Sequence, residues 1–334
     1  VNEHTQSDVL IVGAGIAGLM AARTVAQQGA QVMLVESNER VGGRLATRAI
    51  GPGRADYGVQ FFTARTPEFQ NWVDRWLEEG LAFEWSRGWS SGSLDTTPSE
   101  GHPRYAVRGG MLALAEHLAH GLDVRRRSRL VAVTLQRGRW VALDEKGQVY
   151  SASALILALP VPQALQLLDA GNVLLRPANR AALEAIQYEP CLAGMFWVNG
   201  EVHLPKPGAI QHPNAPITWI ADNRQKGISP EATIITVHAG ASYSRDLWRL
   251  SDRQVLVALE SGLRLFKDFR VEIVESHLER WPHAMPSAAY SERCLLAAGL
   301  PPLVFAGDAF GGPRVEGAAL SGLAARVALA AGPA

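Results

Sequence analysis

The sequence predicts a two-lobed α/β protein, in which a parallel sheet with a small antiparallel meander is joined to an α+β lobe. Three observations predict this. Residues 8–37, "DVLIVGAGIAGLMAARTVAQQGAQVMLVES", read as apolar strand, glycine turn, Ala-rich helix and second apolar strand, the βαβ unit of about 30 residues that a dinucleotide-binding module requires. Near the other end, "FAGDAFGGPRVEGAALSG" again runs from strand through glycine-rich turn to helix. The 334 residues also exceed the roughly 250–300 at which a single core stops growing.

The elements follow in order. Val9 to Val12 form the first strand, Gly29 stops the helix, and the second strand ends at Glu36. Arg65 to Gly80 reads as helix, and Glu84 to His102, rich in Ser, Gly and Trp, as loop or short strands. "GGMLALAEHLA" restarts a helix. "LVAVTLQRGRWVALDEKGQVY" alternates apolar and polar residues, with turns at Arg137-Gly138 and Glu145 to Gly147, which predicts the meander. "ALILALP" is a buried strand closed by proline. From about residue 165 to 285, strands such as "TIITVHAG" and a helix in "SDRQVLVALESGLRLF" form the second lobe.

Composition removes several function classes. Lys+Arg and Asp+Glu both number 32, so no general attraction to nucleic acid or anionic membrane is built in. The run "RRRSR", Arg125 to Arg129, lacks interleaved aromatics and reads as a solvated strand end. Cys191 and Cys294 make no metal-ligand spacing and no disulfide framework, so no metal site is expected. The first residues carry no signal-peptide pattern, and the chain has no run of about 20 apolar residues. The expectation is a cytoplasmic protein, monomer or homodimer, whose partners are small molecules.

Gly13, Gly15 and Gly18 spell G-x-G-x-x-G between strand and helix. In that motif the first glycine makes the tight turn, the second admits a pyrophosphate to the backbone, and the third lets helix and strand close-pack. The helix N-terminus, with Ala14, Ile16 and Ala17 around the turn, offers N–H groups and a positive dipole end to phosphate. Glu36, followed by Ser37, stands some 20 residues on, where a carboxylate accepts the ribose hydroxyls.

Beyond Glu36 the chain resembles the flavin amine oxidase superfamily. Gly42, Gly43 and Arg44 match its Gly-Gly-Arg turn, Asp56-Tyr57-Gly58 its Asp-x-Gly segment, and "FAGD" with "VEGA" its C-terminal flavin motif. The resemblance implies FAD. Gly307 and Asp308 would then meet the ribityl chain, and Val315, Gly317 and Ala318 would aim a helix N-terminus at the isoalloxazine. Asp308 as a plain helix cap and Arg44 as a plain surface charge are the alternatives. Leu130, at the head of the meander, is counted with the cofactor residues. Gln60, Phe61 and Phe62 would sit beside the ring system. Because both motifs would contact one FAD, the ends of the chain form one Rossmann-type FAD-binding domain, residues 1–60, 106–164 and 286–334. Residues 61–105 and 165–285 form the inserted substrate-binding domain.

Within that superfamily, "DYGVQFFTAR", "WIADNRQKG", "VHAGASYSRDLW" and "HLERWPHAMP" resemble segments of renalase and its bacterial relatives. Where bacterial renalases carry a tyrosine and an arginine, this chain has His283 and Met285. Neither cysteine stands where monoamine oxidases attach flavin, so FAD is expected to be non-covalent. The resemblance implies hydride transfer from an aberrant 2- or 6-dihydro NAD(P) to flavin and then to oxygen, giving hydrogen peroxide. The alternatives are a flavin amine oxidase or desaturase acting on a small amine, amino acid or apolar substrate, and a flavin-stabilised binding or redox-sensing protein. Substrate-face candidates are Gln60, Phe61, His238, Trp281 and His283. His238 lies in an apolar strand and reads equally as a core histidine, and Trp281 as core or as a stacking ring.

Overall fold

A computed structural model describes residues 4–90, 101–200, 202–264, 266 and 271–331. The chain divides into two compact units: residues 1–43, 115–187 and 285–334, and residues 44–114 and 188–284.

The first unit is built on a twisted sheet whose spatial order is Leu295–Leu296, Leu303–Phe305, Val149–Leu157, His4–Val12, Val32–Val35 and Asp123–Arg125. All neighbours but the first pair run parallel. Val9 to Val12 and Leu155 to Leu157 are buried without alternation, as expected of parallel strands covered on both faces. The first strand starts at His4 rather than Val9 because Thr5, Gln6 and Ser7 pair with Tyr150, Ser151 and Ala152.

The meander forms as predicted. Leu130–Gln136 and Arg139–Asp144 pair antiparallel and lead onto Val149–Leu157. Arg137 (φ 51°) and Gly138 (φ 78°) both take left-handed backbone, the conformation a two-residue hairpin turn needs. The basic run is solvated: Arg125 pairs with Asp123, Arg127 with Glu39 and Arg129 with Glu145. Helices Val161–Ala170 and Pro177–Glu184 belong to this unit, and Gly171 abuts the meander so closely that a Cβ there would lie 1.8 Å from the Val133 carbonyl. Residues 165–187 therefore group with the first unit rather than the second lobe, while 44–60 and 106–114 group with the second.

Helices Ile16–Ala26 and Val315–Ala331 pack against each other. The approach is close because Gly322 lacks a side chain; a Cβ there would lie 2.1 Å from the Ala17 carbonyl. No helix among the described residues is long and apolar enough to cross a membrane.

The second unit carries a five-stranded sheet ordered Ala209–Gln211, Ile217–Asp222, Thr233–Ala239, Gln187–Asn199 and Glu272–Ala288. Its core joins Leu192, Phe196, Ile235 and Val237 to Val255 and Leu259 of helix Asp252–Glu260, which a Ser251/Gln254 capping box starts. Two hairpins complete it. Thr47–Ile50 with Gly53–Asp56 packs Ile50 and Ala55 on Met195 and Ile234 of the sheet. Ala82–Ser86 pairs with Arg104–Val107, and helix Pro67–Glu78 is capped by Thr66. Part of the segment expected to be loop or short strand, 91–100, lies outside the described residues.

Candidate functional site

In the first unit the three glycines do three different things. Gly13 holds φ at +99°, and a Cβ on it would stand 2.6 Å from the Ala158 carbonyl. A Cβ on Gly18 would stand 2.0 Å from the Gly13 carbonyl, so helix and turn pack only because it is absent. Gly15 differs: a Cβ there would meet no protein atom within 4 Å. Protein packing does not require a glycine at 15, so the open space suits a ligand that comes up to the backbone.

Gly15 is also the N-cap of helix Ile16–Ala26 and offers no side chain to its first turn, which leaves helix N–H groups for an anion. Gly42 bridges to Gly15, its N–H donating to the Ala14 carbonyl at 2.7 Å. Gly43 (φ +54°) lies against the same turn.

Glu36 is 5 % exposed at the end of its strand. Its Oε2 accepts from the Ala14 N–H at 2.9 Å, and its Oε1 from the Asn38 N–H and Asn38 Nδ2, both at 2.9 Å, and from Ser37 Oγ at 3.2 Å. A carboxylate has about four acceptor sites, so Oε2 retains capacity for a ribose hydroxyl. A cleft of about 290 Å³ runs past Gly13, Glu36, Ser37 and Leu130, with Ser128 and Gln163 on its walls. Leu130, counted with the cofactor residues from the sequence, lines this cleft, whereas Ser128 and Gln163, which also line it, carry no sequence motif.

The C-terminal motif lies in the same unit. Gly307 donates its N–H to Ser321 Oγ at 2.9 Å, Asp308 is 9 % exposed, and Val315 opens the final helix. Gly317 is needed for packing, since a Cβ would stand 2.2 Å from the Gly312 carbonyl, and the Ala318 N–H returns to Arg314. Burial pushes the Cys191 thiol up to about 12 and raises that of Cys294, where Glu292 adds to the effect. Both cysteines are free.

Arg44, Gln60, Phe61, Phe62, His238, Trp281 and His283 belong to the second unit, whose centre is an ion pair. Lys226 Nζ donates to Asp56 Oδ2 at 2.5 Å, both side chains are fully buried, and the same Nζ donates to the Gln60 carbonyl at 2.6 Å. Asp56 Oδ1 accepts from Thr47 Oγ1 and from the Met111 N–H, at the start of helix Met111–Ala119. Gln60 is fixed at both ends, Nε2 donating to the Asp56 carbonyl at 2.8 Å and Oε1 accepting from Trp219 Nε1 at 3.2 Å. The segments "DYGVQFF" and "WIADNRQKG" stand out in the sequence, the second resembling a Trp-x-x-Asp-Asn-x-x-Lys pattern that ends on Lys226, but the burial and the partner of that lysine do not. A lysine in a loop gives no sign that it will be buried, and its partner stands 170 positions away.

Phe61 is partly exposed and packs against Trp89 and Trp219, with ring centroids 5.1 and 5.5 Å away. Phe62 is a correction. Its ring is 3 % exposed and packs edge-on against Phe69 and Trp76 and beside Tyr105, so it is core and presents no face to a cofactor.

The three remaining candidates divide into two places. His238 Nε2 meets the Tyr57 carbonyl at 3.2 Å, Trp281 Nε1 donates to the same carbonyl at 3.2 Å, and Trp281 stacks on Tyr57 at 5.6 Å. Burial pushes the His238 imidazole down to about 4, with Lys226 adding to that and the Tyr57 bond opposing it. His238 is therefore a neutral ring with its hydrogen bond made. His283 sits edge-on to Tyr188, and Arg44 Nη1 donates to the carbonyls of His283 and Ala284. Burial and the Arg44 charge lower the His283 pKa.

Comparison with known proteins settles the family. A profile described as NAD(P)-binding Rossmann-like domain matches residues 11–76, and one described as flavin containing amine oxidoreductase matches residues 73–329. The chain belongs to the flavin-containing amine oxidoreductase family. Its cofactor is FAD, and the open Gly15 turn and the spare capacity of Glu36 fit that group. A protein of Mycobacterium tuberculosis (strain ATCC 25618 / H37Rv) named coproporphyrinogen III oxidase is 29 % identical over 240 residues, 66 % of this chain and 50 % of that protein. This chain thus spans about half the length of that relative. Putrescine oxidase of Kocuria rosea is 39 % identical over 69 residues, 21 % of this chain and 14 % of the other. Among solved structures, cyclohexylamine oxidase from Brevibacterium oxydans IH-35A superposes with a TM-score of 0.72 at 15 % identity, covering 97 % of this chain and 99 % of its own. Putrescine oxidase bound to putrescine gives 0.70 at 15 % identity, covering 98 % and 100 %. At such identities these two likenesses speak for the fold.

Proposed function

We propose that this member of the family is an FAD-dependent oxidase whose donor is an aberrant dihydronicotinamide dinucleotide, the 2- or 6-dihydro form of NAD(P), as in renalase. FAD, held without a covalent bond, would supply the redox chemistry, a hydride acceptor whose electrons would go on to oxygen as hydrogen peroxide. Gly15, the first turn of helix Ile16–Ala26 and Glu36 would hold its adenosine diphosphate part. Asp308 and the start of helix Val315–Ala331 would hold its ribityl chain and ring.

One observation carries the substrate reading. The two segments that most resemble renalase, "DYGVQFF" and "WIADNRQKG", are locked together by the Lys226–Asp56 ion pair and the Trp219–Gln60 hydrogen bond. They act as one rigid support that fixes the backbone leading into Phe61, and a fixed ring pose lets only certain carbons reach a hydride acceptor. A second reading, oxidation of a small amine or an apolar substrate, is supported by the amine and porphyrinogen oxidases among the relatives.

The test is anaerobic mixing of the holoprotein with 2-, 6- and 4-dihydro NAD, benzylamine and a polyamine, with flavin absorbance as the readout. Rapid bleaching by the 2- and 6-dihydro forms and slow bleaching by the 4-dihydro form is expected. Rapid bleaching by an amine without preference among the nicotinamides would replace the first reading with the second. Acid or heat denaturation should release intact FAD, and flavin retained in the precipitate would refute non-covalent binding.

A further inference from the structure

The second unit holds a cluster of four rings beside two donors, an indole N–H with no acceptor among the described residues and a guanidinium with no carboxylate partner among them. Trp89 lies 4.6 Å from Trp85, 5.1 Å from Trp219 and 5.1 Å from Phe61 between ring centroids. It is 6 % exposed, and its buried indole N–H has no hydrogen-bond partner among the described residues. A buried donor without an acceptor costs free energy and calls for a partner.

The second donor is Arg104. Its guanidinium lies 5.4 Å from the Trp89 ring and 5.8 Å from the Phe61 ring, and its Nη1 reaches the His102 carbonyl only at 3.5 Å. No carboxylate among the described residues pairs with Arg104, although Glu84 nearby in sequence is taken by Arg87. Burial and the neighbouring Arg65 charge both disfavour its cationic form. The other cation of the cluster, Lys226, lies over Trp85 at 4.8 Å but is already neutralised by Asp56. That leaves a planar guanidinium and an indole N–H on an aromatic floor, an arrangement suited to an anionic oxygen group carried on a flat ring.

We infer that Arg104 and the Trp89 N–H bind an anionic oxygen group, a carboxylate or a phosphate, of a ring-bearing substrate that stacks on Phe61. The inference rests on the oxidase reading only in calling the ligand a substrate. It deepens that reading by assigning an anionic substrate class and not a cationic amine.

Titration of the holoprotein with benzoate, phenyl phosphate, benzylamine and benzyl alcohol, monitored by tryptophan fluorescence, tests it. Benzoate or phenyl phosphate should quench saturably, the tighter of the two identifying carboxylate or phosphate, and benzylamine should bind neither as tightly nor at the same place. Arg104→Met should weaken anion binding about tenfold or more, and Trp89→Phe, which keeps the ring, by a smaller factor. Arg104→Lys keeps the charge without the planar fork and should fall between wild type and Arg104→Met, a series that remains readable if Trp89→Phe folds poorly. Equal affinity for benzylamine and benzoate, no binding of either anion, or unchanged affinity in Arg104→Met would overturn the inference. A protein that binds anions through Arg104 but is reduced by no donor would refute the oxidase reading alone, whereas unchanged KM for the reducing donor in Arg104→Met would refute the anion site alone.

Discussion

The cradle of the first unit is made of backbone, and the polar centre of the second is made of side chains. Around Gly13, Gly15 and Gly18 the working groups are N–H donors of a turn and a helix start, with Glu36 as the principal side chain. Around Asp56 the working groups are mostly side chains, Thr47, Gln60, Trp219, Lys226 and Thr236, with the Met111 N–H as a backbone donor among them. A backbone site is encoded by where side chains are missing and tolerates change at most positions between its glycines. A buried polar network is encoded by residues that must all be present.

The largest expected effect comes from breaking the network. Lys226→Met leaves Asp56 buried without its cation, and loss of one partner of such a pair costs about 3–5 kcal/mol. Urea unfolding should show this loss, and Asp56→Asn in the same chain should recover part of it. If the single variant is as stable as wild type, the pair is not the centre of the second unit.

On the other side of the comparison, Glu36→Ala and Asp308→Ala should each weaken FAD retention by about 1.5–3 kcal/mol, the cost of a hydrogen bond to a charged group, or about tenfold or more. Equilibrium dialysis of FAD measures it. Unchanged affinity in Asp308→Ala would return that residue to the role of a helix cap.

His238 gives the second unit a pH signature. As pH falls below about 6.5, the usual histidine value, the unfolded chain takes up a proton that the folded chain refuses until about 4. Unfolding therefore gains up to one proton in that window, and stability falls with pH by at most about 1.4 kcal/mol per unit. His238→Asn should flatten this slope; an unaltered slope would assign the acid sensitivity elsewhere.

The smallest stability effect should come from Gly15→Ala. Its added methyl meets no protein atom within 4 Å, so apoprotein unfolding should move by less than about 0.5 kcal/mol while FAD affinity drops. Gly18→Ala, whose methyl would lie 2.0 Å from the Gly13 carbonyl, should destabilise the apoprotein itself. Equal stabilities for the two would erase the distinction between a ligand glycine and a packing glycine.

The same distinction explains how much the sequence discloses. The βαβ unit, the meander with its Arg137-Gly138 turn and the final strand–turn–helix are legible because each is local: glycine positions and alternation encode them within about 30 residues. Even Leu130 falls on the Glu36 cleft. The division into units is harder to read. Residues 44–60 stay with the second unit because Ile50 and Ala55 bury against Met195 and Ile234, a contact between segments more than a hundred positions apart that no local pattern announces. Phe62 is the same residue type as its neighbour Phe61, yet alternation along extended chain turns one ring to the core and leaves the other at the edge of the tryptophan cluster. Arg104 and Trp89 give no signal in the sequence, because a cation and an indole N–H left without a carboxylate or an acceptor among the described residues exist only after folding.

The order of the first sheet bears on how this protein is made. Leu303–Phe305 borders Val149–Leu157, and helix Val315–Ala331 covers helix Ile16–Ala26. A ribosome that has not yet released residues 303–331 therefore holds a nascent chain with an open strand edge and an uncovered apolar helix face. Such surfaces invite wrong pairings. Residues 303–331 close the domain that residues 4–35 begin, so the dinucleotide cradle is finished only once translation has passed residue 331.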